Sequence, residues 1–339
     1  MVKRKASITR GGAVDLDSAI ATKAPSAAPG PLALDGLSLG PLRPPLPPGT
    51  VAIAARRSPR DADRDMGEPV ALVADVLARG GYTPVLEERT AVDLGHSLWD
   101  TCPAEAIGQR CRLVIAIGGD GTFISFARSV AAYDVPIIGV NQGRLGFLTD
   151  LTLDNVETLL PAILSGEYRE ERRSLLLARR ENESESFLAV NDVVVSRGSA
   201  ASLMELQVTL NERFAFGMRA DGMIVATSTG STAYSLSAGG PILAPGVNAV
   251  ALAPIAPHAL TNRPIVLSDD MTIRIRVARA REAMASLDGH VHLELAEGDA
   301  IVISKAPCTV RIWHPLSYDY FQTLREKLAW TETPESMVR

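Results

Sequence analysis

The sequence predicts an α/β domain with a parallel sheet, followed by an all-β, sandwich-like domain and a C-terminal helix. Apolar strands alternate with helical patterns up to about residue 150, which favours a doubly wound parallel sheet. Beyond that point, short alternating runs are separated by turns that contain Asn, Gly, Asp or Pro, which is typical of a sandwich or a related multi-sheet arrangement. The amphipathic stretch 318–330 is expected to form a helix that packs back on the first domain.

The first 48 residues differ in composition from the rest of the chain. They are rich in Ala, Pro, Gly and Ser, and five of the eight residues from Pro41 to Pro48 are proline. Such a segment cannot bury enough apolar surface to order itself, so we expect a disordered arm that is dispensable for chemistry. Its basic start, Met-Val-Lys-Arg-Lys, is not followed by an apolar segment, so a secretory signal is not expected.

The α/β domain is expected to span residues 49–150. Apolar residues recur at helical spacing over 65–79 until Gly80-Gly81 ends the pattern, and a second helix is expected at 123–132. No element is assigned over 91–108. The predicted strands are Val51–Ala55, Thr83–Leu86, Leu113–Ile117 and Val135–Val140.

The β-rich domain is expected to span residues 151–315, with 316–339 as the terminal helix and tail. One more helix is predicted at 154–164, before the first β-strand of this domain. The predicted strands are Ser174–Ala178, Phe187–Ser196, Leu203–Leu210, Phe214–Met218, Met223–Ala226, Ile265–Leu267, Met271–Val277, Val291–Leu295 and Ala300–Ser304.

Composition and charge restrict the classes of partner. The net charge of −5 gives no polycationic surface, so nucleic-acid binding is not expected. No apolar run approaches the roughly 18 residues of a membrane span, so no membrane association is expected either. Cys102, Cys111 and Cys308 form no CxxC pair and no metal-binding spacing, which indicates three unpaired thiols in the cytoplasm.

A glycine-rich turn ends the apolar strand 113–117. Gly118-Gly119-Asp120-Gly121-Thr122 lacks Cβ atoms at three positions, so the backbone can turn sharply and its N–H groups can approach a phosphate. The helix expected after the turn adds a favourable dipole for an anion. Asp120 lies at the carboxyl end of a strand, where α/β sheets bind their ligands, so the turn suggests phosphoryl transfer.

Four other stretches are richer in Gly, Asn, Asp and hydroxyl residues than folding alone requires. Two of them interrupt or follow apolar runs that are predicted to be buried strands, which marks them as candidate binding loops. The four stretches are 139–150, 191–192, 219–240 and 288–290.

Together these five blocks resemble the NAD kinase family, whose members phosphorylate the 2′-hydroxyl of the adenosine ribose of NAD. The resemblance extends from about residue 51 to 330, with the blocks in order. Its most specific block is 227–241, Thr-Ser-Thr-Gly-Ser-Thr-Ala-Tyr-Ser-Leu-Ser-Ala-Gly-Gly-Pro, supported by Asn-Gln-Gly-Arg-Leu-Gly-Phe-Leu-Thr at 141–149. Gly-Gly-Asp-Gly-Thr alone also resembles the loops of lipid kinases and phosphofructokinases.

The resemblance implies that Asp120 is the general base. A ribose hydroxyl is a poor nucleophile near pH 7, and a carboxylate within hydrogen-bond reach can orient it and accept its proton. Gly118, Gly119, Gly121 and Thr122 would form the phosphate loop, because glycines allow backbone amides to meet phosphate oxygens. Thr122 stands where many relatives carry Asn.

The resemblance also implies a set of NAD-binding residues. Asp192 is one methylene shorter than the Glu of the family's Asn-Glu pair, and His290 replaces a common Gln; both departures leave the residue's role open. Arg144 is a further candidate for a phosphate contact, with a solvated loop charge as the alternative. The implied NAD-binding residues are Asp120, Gly121, Asn191, Asp192, Arg219, Asp221, Thr232, Ala233, Tyr234, Ser235, Leu236, Ser237 and His290.

The implied phosphoryl donor is ATP. No Walker A sequence is present, which excludes a P-loop enzyme, and no Gly-x-Gly-x-x-Gly follows a strand, which disfavours a dehydrogenase. Phosphoryl transfer implies Mg²⁺ or another divalent ion that bridges ATP oxygens, and no protein ligand is assigned to it. The resemblance further implies a homodimer or a homotetramer.

Two alternative functions stay open at this point. A lipid kinase of the diacylglycerol or sphingosine type shares the glycine loop, but the hydroxyl-rich block 227–237 argues against a cleft for an acyl chain. A catalytically silent NAD(P)-binding module is the other alternative, and the intact Asp120 disfavours it.

Overall fold

Strand pairing is parallel in the first part of the chain and antiparallel in most of the second. Contacts divide the described residues into two compact units, of which the first contains residues 43–171 together with 311–330, and the second contains 172–310. The expected arm lies outside the described residues as far as residue 42. The computed structural model describes residues 43–56, 66–95, 98–143, 146–198, 204–259 and 261–330.

The first unit alternates strands with helices, as the sequence predicts. The helix predicted at 123–132 begins three residues earlier than expected, at Asp120. The stretch 91–108, to which no element was assigned, contains the end of one helix, a two-residue strand and most of another helix. In chain order the elements are β1 (Thr50–Ala55), α1 (Gly67–Arg79), β2 (Thr83–Glu87), α2 (Glu88–Leu94), β3 (Thr101–Cys102), α3 (Ala104–Arg110), β4 (Leu113–Ile117), α4 (Asp120–Val130), β5 (Pro136–Asn141), β6 (Leu151–Thr152) and α5 (Val156–Leu164).

The sheet of the first unit has the strand order β3-β2-β1-β4-β5, and all of these pairs are parallel. Ala55 pairs with Ile117, and Ile117 with Val140, so β1, β4 and β5 end level with one another. The chain order reverses between β1 and β4. A parallel sheet has its ligand crevice at the carboxyl ends beside such a reversal, and this is where the glycine turn lies.

One buried cluster forms the core on one face of the sheet of the first unit. Alternate residues of β1 and β4, Val51 and Ile53 with Leu113 and Ile115, share one buried cluster with residues of α1 and α5. Leu46, from the expected arm, belongs to the same cluster. Its N–H donates to Leu164 O at 2.9 Å, and Tyr82 Oη donates to Leu46 O at 2.7 Å. The last residues of the arm are therefore attached to the first unit.

The second unit consists almost entirely of strands, and the single α-helix in its described part has four residues and follows a 3-10 turn at Gly230–Thr232. Strand β7 begins in the first unit, and β18 ends there. In chain order the elements are β7 (Tyr168–Arg180), β8 (Phe187–Ala189), β9 (Asp192–Arg197), β10 (Met204–Leu210), β11 (Arg213–Ala220), β12 (Gly222–Ala226), α6 (Tyr234–Ser237), β13 (Ala249–Ile255), β14 (Ile265–Ser268), β15 (Ile273–Arg279), β16 (Ala283–Leu287), β17 (Val291–Leu295) and β18 (Ala300–Pro315).

Two sheets form the second unit, and one core joins them. One sheet contains β11-β10-β15-β18 and the other β14-β13-β12-β9-β16-β17. Alternate residues of both sheets, such as Val193 and Val195 from β9 with Ile273 and Ile275 from β15, share one buried cluster. This arrangement confirms the sandwich-like domain.

Several elements differ from the sequence-based expectation, and β7 and β18 extend well beyond the predicted strands 174–178 and 300–304. The run 187–196 forms two strands, β8 and β9, because Val190 and Asn191 leave the extended ladder between them. Strands β13 and β16 were not predicted, since their sequences, Ala-Val-Ala-Leu-Ala-Pro-Ile and Ala-Met-Ala-Ser-Leu, are rich in Ala and therefore carry little intrinsic strand signal. Pairing with neighbours on both sides stabilises them.

The C-terminal helix α7 (Tyr320–Leu328) groups with the first unit, as expected. It buries Thr323 and Leu324, and the Asp319 side chain caps it by accepting from Phe321 N at 2.9 Å. Within the part of the chain that the structure describes, no helix combines the length and the apolar character that a membrane span needs.

Candidate active site

The glycine turn requires glycine at its first position. Gly118 has φ +148°, and a Cβ there would lie 2.6 Å from Thr122 Oγ1. Its N–H donates to Val140 O at 2.9 Å, which ties the turn to β5. Gly119 and Gly121 are exposed and have open space where a Cβ would stand. The open space and the first N–H groups of α4 therefore offer an approach for an anion.

Asp120 is the first residue of α4, and its carboxylate is held by the backbone. Oδ2 accepts from Phe147 N at 2.9 Å, and Oδ1 accepts from Leu148 N at 3.1 Å. A Cβ at Gly146 would lie 2.1 Å from Asp120 Oδ1, so only glycine fits at that position. We call Asp120 with residues 146–149 the Asp120 cradle. Each carboxylate oxygen keeps a second lone pair, so the group can still accept a proton from a bound hydroxyl.

The segment that forms the cradle is itself held by side chains. Thr149 Oγ1 accepts from Asn141 Nδ2 at 3.0 Å and from Gly146 N at 3.1 Å. Asn141 Oδ1 accepts from Gly143 N at 2.7 Å, which closes the turn after β5. Arg144, the further candidate for a phosphate contact, lies outside the described residues.

A second carboxylate organises the loop before β9 in the second unit. Asp288 accepts from Val190 N at 2.9 Å through Oδ2, and from Asn191 N at 2.8 Å and Asp192 N at 3.2 Å through Oδ1. We call Asp288 with residues 190–192 the Asp288 cradle. Its turn is tight, with φ +49° at Asp288 and +66° at Gly289, and His290 is exposed at its end.

Asp192 lies within this cradle as a buried carboxyl group. Its side chain is nearly inaccessible, and burial together with the charge of Asp288 raises its pKa to about 7. Near neutral pH a substantial fraction of the molecules therefore carries Asp192 as a neutral acid, which can donate a hydrogen bond as well as accept one.

The block 227–240 is connected directly to the Asp288 cradle. Thr227 N donates to Asn191 O at 2.9 Å, and Thr227 Oγ1 donates to Val190 O at 2.6 Å while accepting from Gly230 N at 3.1 Å. The structure therefore brings Asn191 and Asp192 together with the start of the hydroxyl-rich block, as their joint role in one binding site requires.

Side chains within the block point in different directions. Tyr234 is 47% exposed and Ser237 is exposed, whereas Thr232, Ala233 and Leu236 are partly buried. Thr232 Oγ1 donates to Thr229 O at 3.2 Å. Ser235 is fully buried, and its hydroxyl faces Gly240, where a Cβ would lie 2.3 Å from Ser235 Oγ. Tyr234 is therefore accessible from outside, while Ser235 faces the interior.

Arg219 and Asp221 lie at the other end of the second unit's strands. β12 pairs with β9 from Ala226 opposite Asp192 to Gly222 opposite Ser196, so Asp221 is about 16 Å from the Asp288 cradle at roughly 3.3 Å per residue. Arg219 forms an ion pair with Glu205 at 2.9 Å, and Asp221 one with Arg197 at 2.9 Å. The second unit alone does not bring these two residues to the other NAD-binding candidates.

Comparisons with known proteins agree with this organisation. Residues 82–168 match the family model for the ATP-NAD kinase N-terminal domain, and residues 190–314 match the model for the ATP-NAD kinase C-terminal domain. An NAD kinase of Delftia acidovorans is 46% identical over 263 residues, which cover 77% of this chain and 88% of the relative. The chain belongs to the NAD kinase family.

Other members of the family match over a similar length. An NAD kinase of Nitrosomonas europaea is 43% identical over 270 residues, covering 79% of this chain and 91% of the relative. The crystal structure of yeast NADH kinase complexed with NADH has a TM-score of 0.75 at 25% identity, covering 85% of this chain and 89% of that one. An NAD kinase from Archaeoglobus fulgidus, in complex with ATP, has the same fold, with a TM-score of 0.66 at 24% identity, covering 83% and 98%.

Sequence reasoning missed the supports of both cradles. The amides of Phe147 and Leu148 carry no side-chain signal, so their role depends on the backbone path alone. The sequence marked Asp288 as part of the stretch 288–290, but it did not predict that the Asp288 carboxylate binds the backbone amides of residues 190–192. Two positive-φ residues in succession, Asp288 and Gly289, mark a tight turn, and the Asp-Gly pair was the available signal for it.

Proposed function

We propose that the chain transfers the γ-phosphoryl group of ATP to the 2′-hydroxyl of the adenosine ribose of NAD, giving NADP, with Asp120 as the general base. The observation that carries this proposal is the Asp120 cradle. A half-exposed carboxylate lies beside two glycines with open space around them, at the carboxyl edge of a parallel sheet. Membership of the NAD kinase family supports the substrate assignment.

The proposed chemistry needs one proton acceptor and one oriented hydroxyl. Backbone amides fix both oxygens of Asp120, so the remaining lone pairs have a defined direction toward a bound ribose. The hydroxyl loses its proton to Asp120 as its oxygen bonds to the γ-phosphorus, and ADP leaves with the electrons of the broken P–O bond. A base of this kind contributes about 10² to 10⁴ in rate.

The NAD-binding residues we propose in the second unit are those near the Asp288 cradle. Asn191, Asp192 and the exposed Tyr234 would hold the dinucleotide, with Thr232, Ala233, Leu236, Ser237 and His290 beside them. Ser235 supports the loop from inside rather than by contact, because its side chain is fully buried. The glycine turn, Gly118–Thr122, would bind phosphate oxygens.

We propose that a second copy of the chain supplies Arg219 and Asp221 to the NAD site. They lie at the opposite end of β12 from Asp192, and a planar Arg fork suits a diphosphate. We therefore propose a homodimer or homotetramer in which these residues complete the site of a neighbouring subunit. Light scattering of wild type and Arg219→Ala, together with KM for NAD, tests this arrangement.

A divalent ion such as Mg²⁺ fits the site only when it arrives with ATP. Among the described residues no group of three or more His, Cys, Asp or Glu side chains is arranged to hold a metal. A Mg²⁺ ion keeps waters and phosphate oxygens as ligands, so such a donor-poor site suits it. When bound it would neutralise charge on the phosphates.

The test of the proposed function is direct. Purified protein with ATP, Mg²⁺ and NAD should form NADP, which an NADP-specific dehydrogenase detects. Parallel reactions with NADH and with diacylglycerol or sphingosine separate the acceptor classes. Folded protein that binds NAD but forms no NADP would favour a non-catalytic module instead. We also propose a cytoplasmic location, supported by three cysteines that are all free thiols.

A further inference from the structure

His314 lies at the end of β18, in the first unit, and takes no part in the proposed NAD or phosphate contacts. Its side chain is 1% exposed and lies between two carboxylates. Nδ1 forms a short hydrogen bond with Asp150 Oδ2, and Nε2 is 3.1 Å from Glu171 Oε2. The ring stacks on Tyr318 with centroids 4.0 Å apart.

A charged imidazole satisfies both contacts when both carboxylates are ionised. A neutral imidazole has one N–H and can donate to only one carboxylate, whereas an imidazolium donates from both nitrogens. Asp150 Oδ1 is buried and has no hydrogen-bond partner among the described residues, so the negative charge of Asp150 depends on His314 for its compensation. Loss of the His314 proton would leave a buried carboxylate without its cation.

Asp150 joins this charged group to the Asp120 cradle. It directly follows the segment 146–149, two residues after Leu148, whose amide holds Asp120 Oδ1. The side chain of Asn141 fixes this segment through Thr149, and His314 fixes its end through Asp150. A shift of Asp150 would therefore move the amides that orient the carboxylate of Asp120.

We propose that His314, as an imidazolium, is a positioning residue for Asp120: it anchors Asp150 and thereby holds the Phe147 and Leu148 amides in place. This inference rests on the proposed function, in which Asp120 is the general base. His314 itself touches neither substrate nor the reacting atoms.

The charge of His314 gives this role a pH dependence. Burial alone would lower the pKa of His314, but the charges and hydrogen bonds of Asp150 and Glu171 raise it above the usual value. The titratable groups that face the ring are Asp150 from the cradle segment, Glu171 from β7 and Tyr318 from the segment before α7. The anchor is fully present below about pH 6.5 and is lost as the pH rises through the raised pKa.

The first experiment follows kcat and KM for NAD from pH 6 to 10. Wild type should show an alkaline loss of kcat, and Asp150→Asn should move that loss at least one pH unit lower, because His314 then loses its main counter-charge. Glu171→Gln should move it in the same direction by less. At pH 6.5, His314→Gln should lower kcat roughly 10- to 100-fold, as a small misplacement of a catalytic group does. Its KM for NAD at the same pH should stay within about 2-fold of the wild-type value.

The matched control is Glu170→Gln. Glu170 is the neighbour of Glu171 in sequence and is also largely buried, but its carboxylate pairs with Arg311 Nη2 at 2.6 Å and Trp313 Nε1 at 3.1 Å. Glu170→Gln removes a largely buried charge from the same unit, and the Glu170 carboxylate does not contact the His314 ring. It should therefore reduce stability and leave the alkaline limb of kcat where it is in wild type.

A second readout does not depend on activity. The chain has five histidines, so NMR of labelled imidazoles, with His314→Gln or Asp150→Asn for assignment, can follow the His314 titration directly. The His314 imidazole should lose its proton above the usual histidine range in wild type and at lower pH in Asp150→Asn than in wild type. An imidazole that titrates near 6.5 in wild type, or an alkaline limb that the Asp150 change does not move, would overturn the proposal. An inactive wild type with a protonated His314 would instead remove the proposed function.

Discussion

The two cradles use the same device for different purposes. In each, a carboxylate accepts hydrogen bonds from the backbone amides of a loop that is distant in sequence. Both carboxylates are partly exposed, but Asp120 accepts two amides, whereas Asp288 accepts three and has a second, buried carboxyl group beside it. We propose that the difference separates a carboxylate that is held for chemistry from one that is held to shape a loop.

The largest expected effect concerns the second carboxyl group of the Asp288 cradle. The pKa of Asp192 is raised to about 7 in the folded chain, so the ionised form of Asp192 destabilises the fold. That penalty begins to develop near pH 4, where Asp192 of the unfolded chain ionises, and is complete above pH 7, where roughly three pKa units correspond to about 4 kcal/mol. The stability advantage of Asp192→Asn over wild type in urea unfolding should therefore be small near pH 4.5 and grow by about 3 kcal/mol by pH 8.

The pH 4.5 comparison is the internal control for this prediction, because Asp192 in the folded chain is then neutral and most of the penalty has not yet developed. A free-energy difference between Asp192→Asn and wild type that does not change with pH would show that Asp192 ionises freely. The two cradles would then resemble each other more closely than their burial indicates.

The next effect tests the Asp120 cradle. Gly146→Ala would place a Cβ 2.1 Å from Asp120 Oδ1, so the carboxylate must move away from the Phe147 and Leu148 amides. We expect kcat to fall about 100-fold, with NAD affinity changed much less. Gly217→Ala is a matched control, since it also adds a methyl group, at a glycine without a positive φ, where the Cβ would meet only Leu206 O at an ordinary 3.6 Å. Gly146→Ala with kcat close to wild type would mean that the amides do not orient Asp120.

The smallest effect is expected from the arm. Deletion of residues 1–42 should leave kcat within about 2-fold, because the described anchor at Leu46 and its bonds to Leu164 and Tyr82 remain. Extending the deletion to residue 48 removes the buried Leu46 and should lower the free energy of unfolding by about 2 kcal/mol or more. Circular dichroism during thermal unfolding and the NADP assay measure both quantities. A large loss of kcat on removal of 1–42 would assign the arm a role in the reaction.

More of the Asp120 cradle than of the Asp288 cradle could be predicted from the sequence. The strand 113–117 and the glycine turn after it were predictable, because β-branched runs and consecutive glycines are local signals. The glycine turn lies beside β1, where the strand order reverses, and the predicted doubly wound parallel sheet places a ligand site at such a point. The partners of Asp120 were not predictable, since Phe147 and Leu148 contribute only backbone N–H groups.

Long-range pairing explains the remaining misses. Asp288 reaches Asn191 across 97 residues, and His314 reaches Asp150 across 164, distances over which neither periodicity nor composition carries information. β13 and β16 form from weak strand sequences because stronger neighbours pair with them on both sides. Asp192 could be named from its motif, but its raised pKa depends on burial beside Asp288, which only the fold creates.

The most direct measurement compares Asp120→Asn with Asp288→Asn in the same NADP-forming assay and in NAD binding by calorimetry. If Asp120 is held for chemistry and Asp288 for shape, Asp120→Asn should lose about 10² to 10⁴ in kcat and bind NAD as wild type does. Asp288→Asn should weaken NAD binding while the bound complex keeps most of its kcat. Full turnover by Asp120→Asn would contradict the account.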